Sequence, residues 1–120
     1  MQFPIFPCNS KKIPLIKDWK NQATTDINII NHWKHQFGSQ LAYFGIPTGK
    51  RTGILVLDVD AKTGGLETLK SVSLPPTLSQ RTQSGGIHFI YRYPQDGRHY
   101  GNRTGFKPGF DIRGEGGYIL

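Results

Sequence analysis

The stretch Ile54-Leu55-Val56-Leu57-Asp58-Val59-Asp60 carries an apolar run into two carboxylates separated by one apolar residue. On a β-strand, side chains two apart share a face, with Cα atoms about 6.5–7 Å apart. Two like charges on one face repel unless a cation sits between them. Hard carboxylate oxygens on a rigid strand suit Mg²⁺ or Mn²⁺, and a two-metal site needs carboxylates that bridge ions about 3.5–4 Å apart. The same residues also read as a turn, Asp58-Val59-Asp60-Ala61-Lys62-Thr63-Gly64, which both acids cap with Lys62 as ion-pair partner. On these residues alone both readings stand. A third acid lies in Phe110-Asp111-Ile112-Arg113, again beside apolar residues, with Arg113 two positions on and on the same face. Asp111 could complete a three-carboxylate cradle while Arg113 neutralises phosphate. The local alternative is an Asp111–Arg113 ion pair at a strand end, worth little if exposed.

The segment Arg81-Thr82-Gln83-Ser84-Gly85-Gly86-Ile87-His88-Phe89-Ile90-Tyr91 sets a hydroxyl and two glycines before a strand with one histidine. Glycines let backbone N–H groups approach a phosphate closely, and Ser84 adds a donor. His88 and Ile90 share one face of that strand; Ile87, Phe89 and Tyr91 share the other, so His88 is expected to look into a cleft. A histidine hydrogen-bonded inside the sheet is the plainer alternative.

These groups need a scaffold that the rest of the sequence supplies. Asp26 caps a helix predicted over 26–36, with Ile27, Ile30, Trp33 and Phe37 as its apolar stripe and Gly38 as its stop. Strands are predicted at 41–46, 54–57, 77–82, 87–93, 110–113 and 118–120, with a short helix at 66–72 ended by Pro75-Pro76. Phe3–Phe6 reads as an edge strand, because Pro4 and Pro7 cannot donate to a central ladder. Asn9–Pro14 reads as a basic turn, and 94–109, with its glycines and charges, as a mobile loop. No repeat or charge block marks a linker, so residues 1–120 read as one domain of α+β class with a mainly antiparallel sheet. Fifteen Lys and Arg against eight Asp and Glu leave +7, which favours polyanionic partners, nucleic acid or nucleotides first. The single cysteine, Cys8, excludes an intramolecular disulfide or a cysteine-rich zinc cluster, and a reducing, cytoplasmic setting fits. No apolar stretch approaches the ~20 residues of a membrane span, and the first residues lack the features of a signal peptide.

The three motifs in order, an apolar strand with Asp58-Val59-Asp60, then Thr82-Gln83-Ser84-Gly85-Gly86-Ile87-His88, then Phe110-Asp111-Ile112-Arg113-Gly114-Glu115-Gly116-Gly117-Tyr118, resemble motifs I, II and III of the archaeo-eukaryotic primase superfamily. More closely, the sequence resembles the bifunctional DNA primase/polymerase amino-terminal domain of phage and plasmid replication proteins. The likeness runs nearly end to end, through Phe6-Pro7, Lys11-Lys12-Ile13-Pro14, Trp19-Lys20 to Thr25-Asp26, Trp33 and Pro47-Thr48-Gly49. It implies an RRM-like catalytic sheet packed against an amino-terminal α/β subunit. It also implies a nucleotidyltransferase in which Asp58, Asp60 and Asp111 are catalytic and bind the Mg²⁺ or Mn²⁺ ions. Ser84 and His88, with the Gly85-Gly86 backbone, would hold the incoming nucleoside triphosphate, assisted by Arg113. DNA template and primer are the implied partners, and Lys50, Arg51, Arg98 and Arg103 are candidate template contacts, with a solvated basic surface the alternative for each.

Family members of this kind continue past the last glycine motif with a further strand and a Pro-Pro-Ser-type segment, whereas this sequence ends at Tyr118-Ile119-Leu120. The expectation is therefore a domain truncated at its carboxyl end, with the remainder on a second chain or a helicase as further partners. Three other readings compete with the polymerase. A non-catalytic or split nucleic-acid-binding remnant keeps the basic surface without a finished site. A phosphohydrolase of the haloacid dehalogenase type shares the Asp-x-Asp strand end, but Gly-Thr normally follows where Ala61-Lys62 stands here. A P-loop at Gly45–Arg51 fails on spacing and on Arg51, which stands where the Mg²⁺-binding hydroxyl belongs.

Overall fold

The computed structural model describes residues 2–120. In chain order it contains β1 (Phe6–Cys8), α1 (Trp19–Gln22), α2 (Ile27–Phe37), a 3₁₀ turn (Gly38–Gln40), β2 (Tyr43–Pro47), β3 (Ile54–Val59), α3 (Gly65–Lys70), β4 (Leu78–Arg81), β5 (Ile87–Arg92), β6 (Arg103–Lys107), β7 (Phe110–Arg113) and β8 (Tyr118–Ile119). Every paired strand is antiparallel, giving a mixed α/β architecture with few helices. Among the described residues no helix is long and apolar enough to cross a membrane.

The chain divides into two compact units. The first holds residues up to Pro47 together with Tyr118–Leu120. Its sheet runs β1-β2-β8, and β1 lies at the edge, where Pro7 can be accommodated because its missing N–H faces no partner strand. The strand expected at Phe3–Phe6 forms instead at Phe6–Cys8, starting three residues later and ending two later. Phe6 is fully buried, its ring 4.8 Å from that of Trp19 and 5.3 Å from that of Tyr118. Asn9 Oδ1 accepts from the N–H groups of Lys11 and Ile13, which closes the basic turn expected there. The Asp26 carboxylate accepts from Asn28 N and starts α2, whose buried residues are Ile30 and Trp33. Ile27, assigned to the same stripe, is 60% exposed in the first turn. The single-turn α1 had no apolar periodicity to announce it.

Cys8 lies buried in this unit as a free thiol, and burial pushes its pKa up to about 11. The folded state holds the thiol proton more tightly than the unfolded chain, so the contribution to stability is complete below the unfolded value near 9 and is lost as pH rises through about 11. Urea midpoints are expected to fall between pH 9 and 11, less so in Cys8→Ala, and Cys8 is expected to resist a thiol reagent at pH 8 until the protein unfolds.

The second unit spans Thr48–Gly117 and is built on a sheet of order β4-β5-β3-β7-β6. The apolar run at 54–57 predicts a strand with both faces covered, and it becomes the central one. Alternation divides its side chains: Leu57 and Val59 point to one face, into a core with Phe110, Phe89, Ile112, Leu69 of α3 and Val72 just beyond it. Ile54, Val56 and Asp58 point to the other. The helix is tied to the sheet at two glycines, where a Cβ on Gly65 would fall 2.6 Å from Asp60 O and 2.8 Å from Gly109 O.

One expectation is corrected here. The stretch 94–109 is not wholly a loop, since residues 103–107 form β6, which pairs with β7 through Arg103↔Ile112 and Lys107↔Phe110 around an irregularity. All five residues are exposed, so an edge strand formed without the apolar alternation by which a strand is recognised.

Candidate active site

Register, which no single segment reveals, brings the predicted site residues together. Asp58 on β3 lies opposite His88 on β5 and opposite Asp111 on β7. His88 in turn lies opposite Gln80 on β4. Gln80, His88, Asp58 and Asp111 thus form one row across four strands, on the sheet face opposite the α3 core.

His88 is 8% exposed, with both ring nitrogens engaged. Its Nδ1 lies 3.1 Å from Gln80 Nε2, and its Nε2 lies 3.4 Å from Asp58 Oδ1. With the amide so placed, Gln80 donates to Nδ1, which leaves the proton on Nε2, facing the carboxylate. Arg113, two residues beyond Asp111 and beside Val56, spans the acids: its guanidinium is 3.6 Å from Asp111 Oδ2 and 3.9 Å from Asp58 Oδ2. The local Asp111–Arg113 pair is therefore present, and it extends to Asp58. Asp111 Oδ1 also accepts from Gly105 N at 2.8 Å, so the irregular edge strand β6 fixes that carboxylate.

Asp60 stands apart from this row. The β3 ladders end at Val59↔Ile87 and Val59↔Phe110, and the chain then turns. Asp60 N donates to Gly109 O, and its Oδ1 accepts from Lys62 N at 2.9 Å. The expectation that Asp58 and Asp60 share a strand face is corrected: Asp60 lies in a turn, held by the Lys62 N–H and not by its ammonium, while Asp58 lies opposite Asp111.

The glycine segment forms a tight connection between β4 and β5. Thr82 closes it: Gly85 N donates to Thr82 O, Gly86 N donates to Thr82 Oγ1, and Thr82 Oγ1 is 3.3 Å from Ser84 Oγ. Both glycine amides are thus engaged within the turn, while Ser84 is exposed at its tip. Of the basic candidates, Lys50 and Arg98 border one cavity, and Arg103 lies over the Phe106 ring on β6, 5.8 Å from its centre. Arg51 is exposed in the turn before β3. Sequence reasoning missed Gln80, Thr82 and Gly105. A hairpin closed at Thr82–Gly86 would have placed Gln80 opposite His88, since a tight connection fixes the register of both strands.

For a divalent ion the donor chemistry is right in part. Asp58 and Asp111 are hard carboxylates that share one guanidinium, so the pair keeps a negative excess that a cation would neutralise. Among the described residues, however, no group of three or more His, Cys, Asp or Glu side chains is drawn close enough to hold a metal ion. Asp58 and Asp111 lie opposite each other, whereas Asp60 Oδ1 accepts from Lys62 N.

An antiparallel sheet that sets two carboxylates, a buried histidine and an arginine on one face is suited to handling phosphates and their counter-ions. The chain belongs to the bifunctional DNA primase/polymerase amino-terminal (Prim-Pol) family, whose model matches residues 1–120. The resemblance read from the three motifs is thereby shown over the whole chain. Membership points to a DNA primase/polymerase-type function of nucleotidyltransferase class, in a family that is in general metal-dependent. No curated protein matches the chain.

Proposed function

We propose that this chain is a template-dependent nucleotidyltransferase module that forms phosphodiester bonds by two-metal catalysis, in the cytoplasm, during plasmid, phage or mobile-element DNA replication. The observation that carries this reading is the Gln80-His88-Asp58-Asp111 row with Arg113 across it, in a chain of this family. We read the five-stranded sheet as the RRM-like catalytic sheet and the other unit as the amino-terminal subunit.

In the reaction, a primer 3′-oxygen bonds to the α-phosphorus of a nucleoside triphosphate as the bond to the β-phosphate bridging oxygen breaks in line, releasing pyrophosphate. Mg²⁺ or Mn²⁺, held by Asp58 and Asp111 with Asp60 from the adjoining turn, would supply the charge that lowers the pKa of the attacking hydroxyl and offsets that of the leaving group. His88 presents its Nε2–H toward the acids, where it can donate to a phosphate oxygen brought there. Ser84 Oγ adds a donor from the hairpin tip. Arg113 balances the two carboxylates before substrate arrives and opposes triphosphate charge afterwards. Gln80 holds the imidazole in one orientation throughout.

The test is binding of a nucleoside triphosphate in the presence of Mn²⁺. Wild type is expected to bind and His88→Ala to bind at least about tenfold more weakly, the scale of a lost charge-assisted hydrogen bond. One observation favours a second reading. With Asp60 committed to Lys62 N, the chain would be an inactive or split nucleic-acid-binding remnant completed by a second chain or a helicase. Failure of wild type to bind triphosphate with Mn²⁺ selects the remnant.

A further inference from the structure

At the opposite end of the central strands, Lys50 and Arg98, far apart in sequence, line one cavity of about 260 Å³. Tyr93, Pro94, Gln95, Gly53 and Gly97 line it as well. We propose that this cavity is a phosphodiester subsite, which holds one sugar-phosphate unit of a single-stranded nucleic acid whose reacting end lies at the Asp58 row. It rests on the nucleic-acid reading above, deepens it, and selects two of the four basic candidates as partners of one phosphate.

The cavity is built in advance of any ligand. Ile54 opposes Arg92 in the β3–β5 ladder, and Tyr93 N donates to Gly53 O at 2.8 Å, which fixes the two loops to each other. Tyr93 is buried, and its hydroxyl accepts from Tyr100 N at 2.7 Å, their rings meeting edge to face at 5.7 Å. The Tyr100 hydroxyl donates to Asp96 Oδ2 and Arg98 N donates to Asp96 Oδ1. The hydroxyl hydrogen bond holds the Asp96 carboxyl below its ordinary pKa, so it remains an anion, but one already engaged by these two donors. Glu115 Oε2 is likewise engaged by Lys50 N. Lys50 and Arg98 thus border a cavity between loops joined by hydrogen bonds, and the Asp96 and Glu115 carboxylates on those loops already accept from backbone N–H groups.

Size and position narrow the occupant. A volume of about 260 Å³ falls just under the range of drug-sized ligand sites, which suits one nucleotide unit. Pro94 offers apolar surface to a sugar or base edge, and glycines at 53 and 97 leave no side chain between backbone and phosphate. Four residues of strand separate Ile54 from Asp58, about 13 Å. A strand running that distance would place the phosphate held here a few nucleotides from the reacting end.

A phosphate could come from a strand or from a free nucleotide, and two arms separate these sources. Binding of a single-stranded oligothymidine is measured by fluorescence anisotropy in EDTA, across a salt series, for wild type and the Lys50→Ala/Arg98→Ala double variant. The expected result is an affinity about tenfold lower at moderate salt, with the log–log salt slope shallower by about 0.7, the contribution of one single-strand phosphate. Both side chains are exposed, and an unchanged thermal midpoint verifies the fold. A single methylphosphonate moved along the oligothymidine should, at one position a few nucleotides from the reacting end, reproduce the loss in wild type and add nothing in the variant. Unchanged oligonucleotide affinity and slope overturn the proposal. So does loss of adenosine monophosphate binding with oligonucleotide binding intact, which assigns the cavity to a free nucleotide. Mn²⁺-dependent triphosphate binding on the same proteins reports the Asp58 row separately: if wild type fails there while oligonucleotide binding still depends on Lys50 and Arg98, the subsite stands and the polymerase reading falls.

Discussion

Asp58→Asn is expected to lower primer extension with Mg²⁺ or Mn²⁺ by about 10³-fold or more while DNA binding is retained. Asp58 is the one acid in register with both the histidine and the second acid, 3.4 Å from His88 Nε2 and 3.9 Å from Arg113. Removing its charge deprives the site of one of its two assembled carboxylates and leaves the imidazole without its anionic partner. Binding to a polyanion should be spared, because the substitution subtracts a negative charge from a protein that carries +7. Asp60→Asn gives the sharper comparison. An asparagine Oδ1 can accept from Lys62 N as Asp60 Oδ1 does, so the turn survives and only the carboxylate charge is lost. A large loss at Asp60 with an unchanged melting temperature would make it a metal ligand, and a small one would confine it to the turn. Extension that persists in Asp58→Asn defeats the catalytic reading.

How much of this was legible follows from which physical signals act locally. The central strand announced itself because four consecutive apolar residues before an acid have few other homes, and parity alone put His88 and Ile90 on one face. Asp111 and Arg113 were likewise placed by period two. Register was not legible from any one segment: Asp58 opposes His88 and Asp111 through the β3–β5 and β3–β7 ladders, which join strands far apart in sequence and not linked by a tight turn. Extending the strand through Asp60 failed for the same reason. Both neighbouring ladders stop at Val59, so nothing keeps Asp60 extended, and its backbone bonds to Gly109 O instead. β6 escaped notice because its exposed residues carry no apolar alternation, although its Gly105 amide is what holds Asp111. The cavity at Lys50 and Arg98 forms only once the ladder brings Ile54 to Arg92.

Gly109→Ala should be the most damaging single methyl in the site's framework, costing about 2–4 kcal/mol and roughly 10 °C in melting temperature. Two separate effects add. Gly109 has φ +75, where a Cβ is strained, and that Cβ would also overlap the backbone of Gly65, with Asp60 O 3.0 Å away. The obstacles are backbone atoms at the start of α3 and in the Asp60 turn, so no flexible side chain can swing aside. Relief requires the turn and the first residue of β7 to part, which moves Asp60 and Asp111 together, and primer extension is expected to fall along with stability. Gly53→Ala separates the two effects. Gly53 has φ +76 but nothing within 4 Å of an added Cβ, so only the backbone strain remains, about 1–2 kcal/mol. Chemical denaturation of both variants measures the difference. Equal losses would mean that the close approach of Gly109 to Gly65 contributes nothing, whereas the larger loss at Gly109 makes that contact the brace that holds the two acidic segments in place.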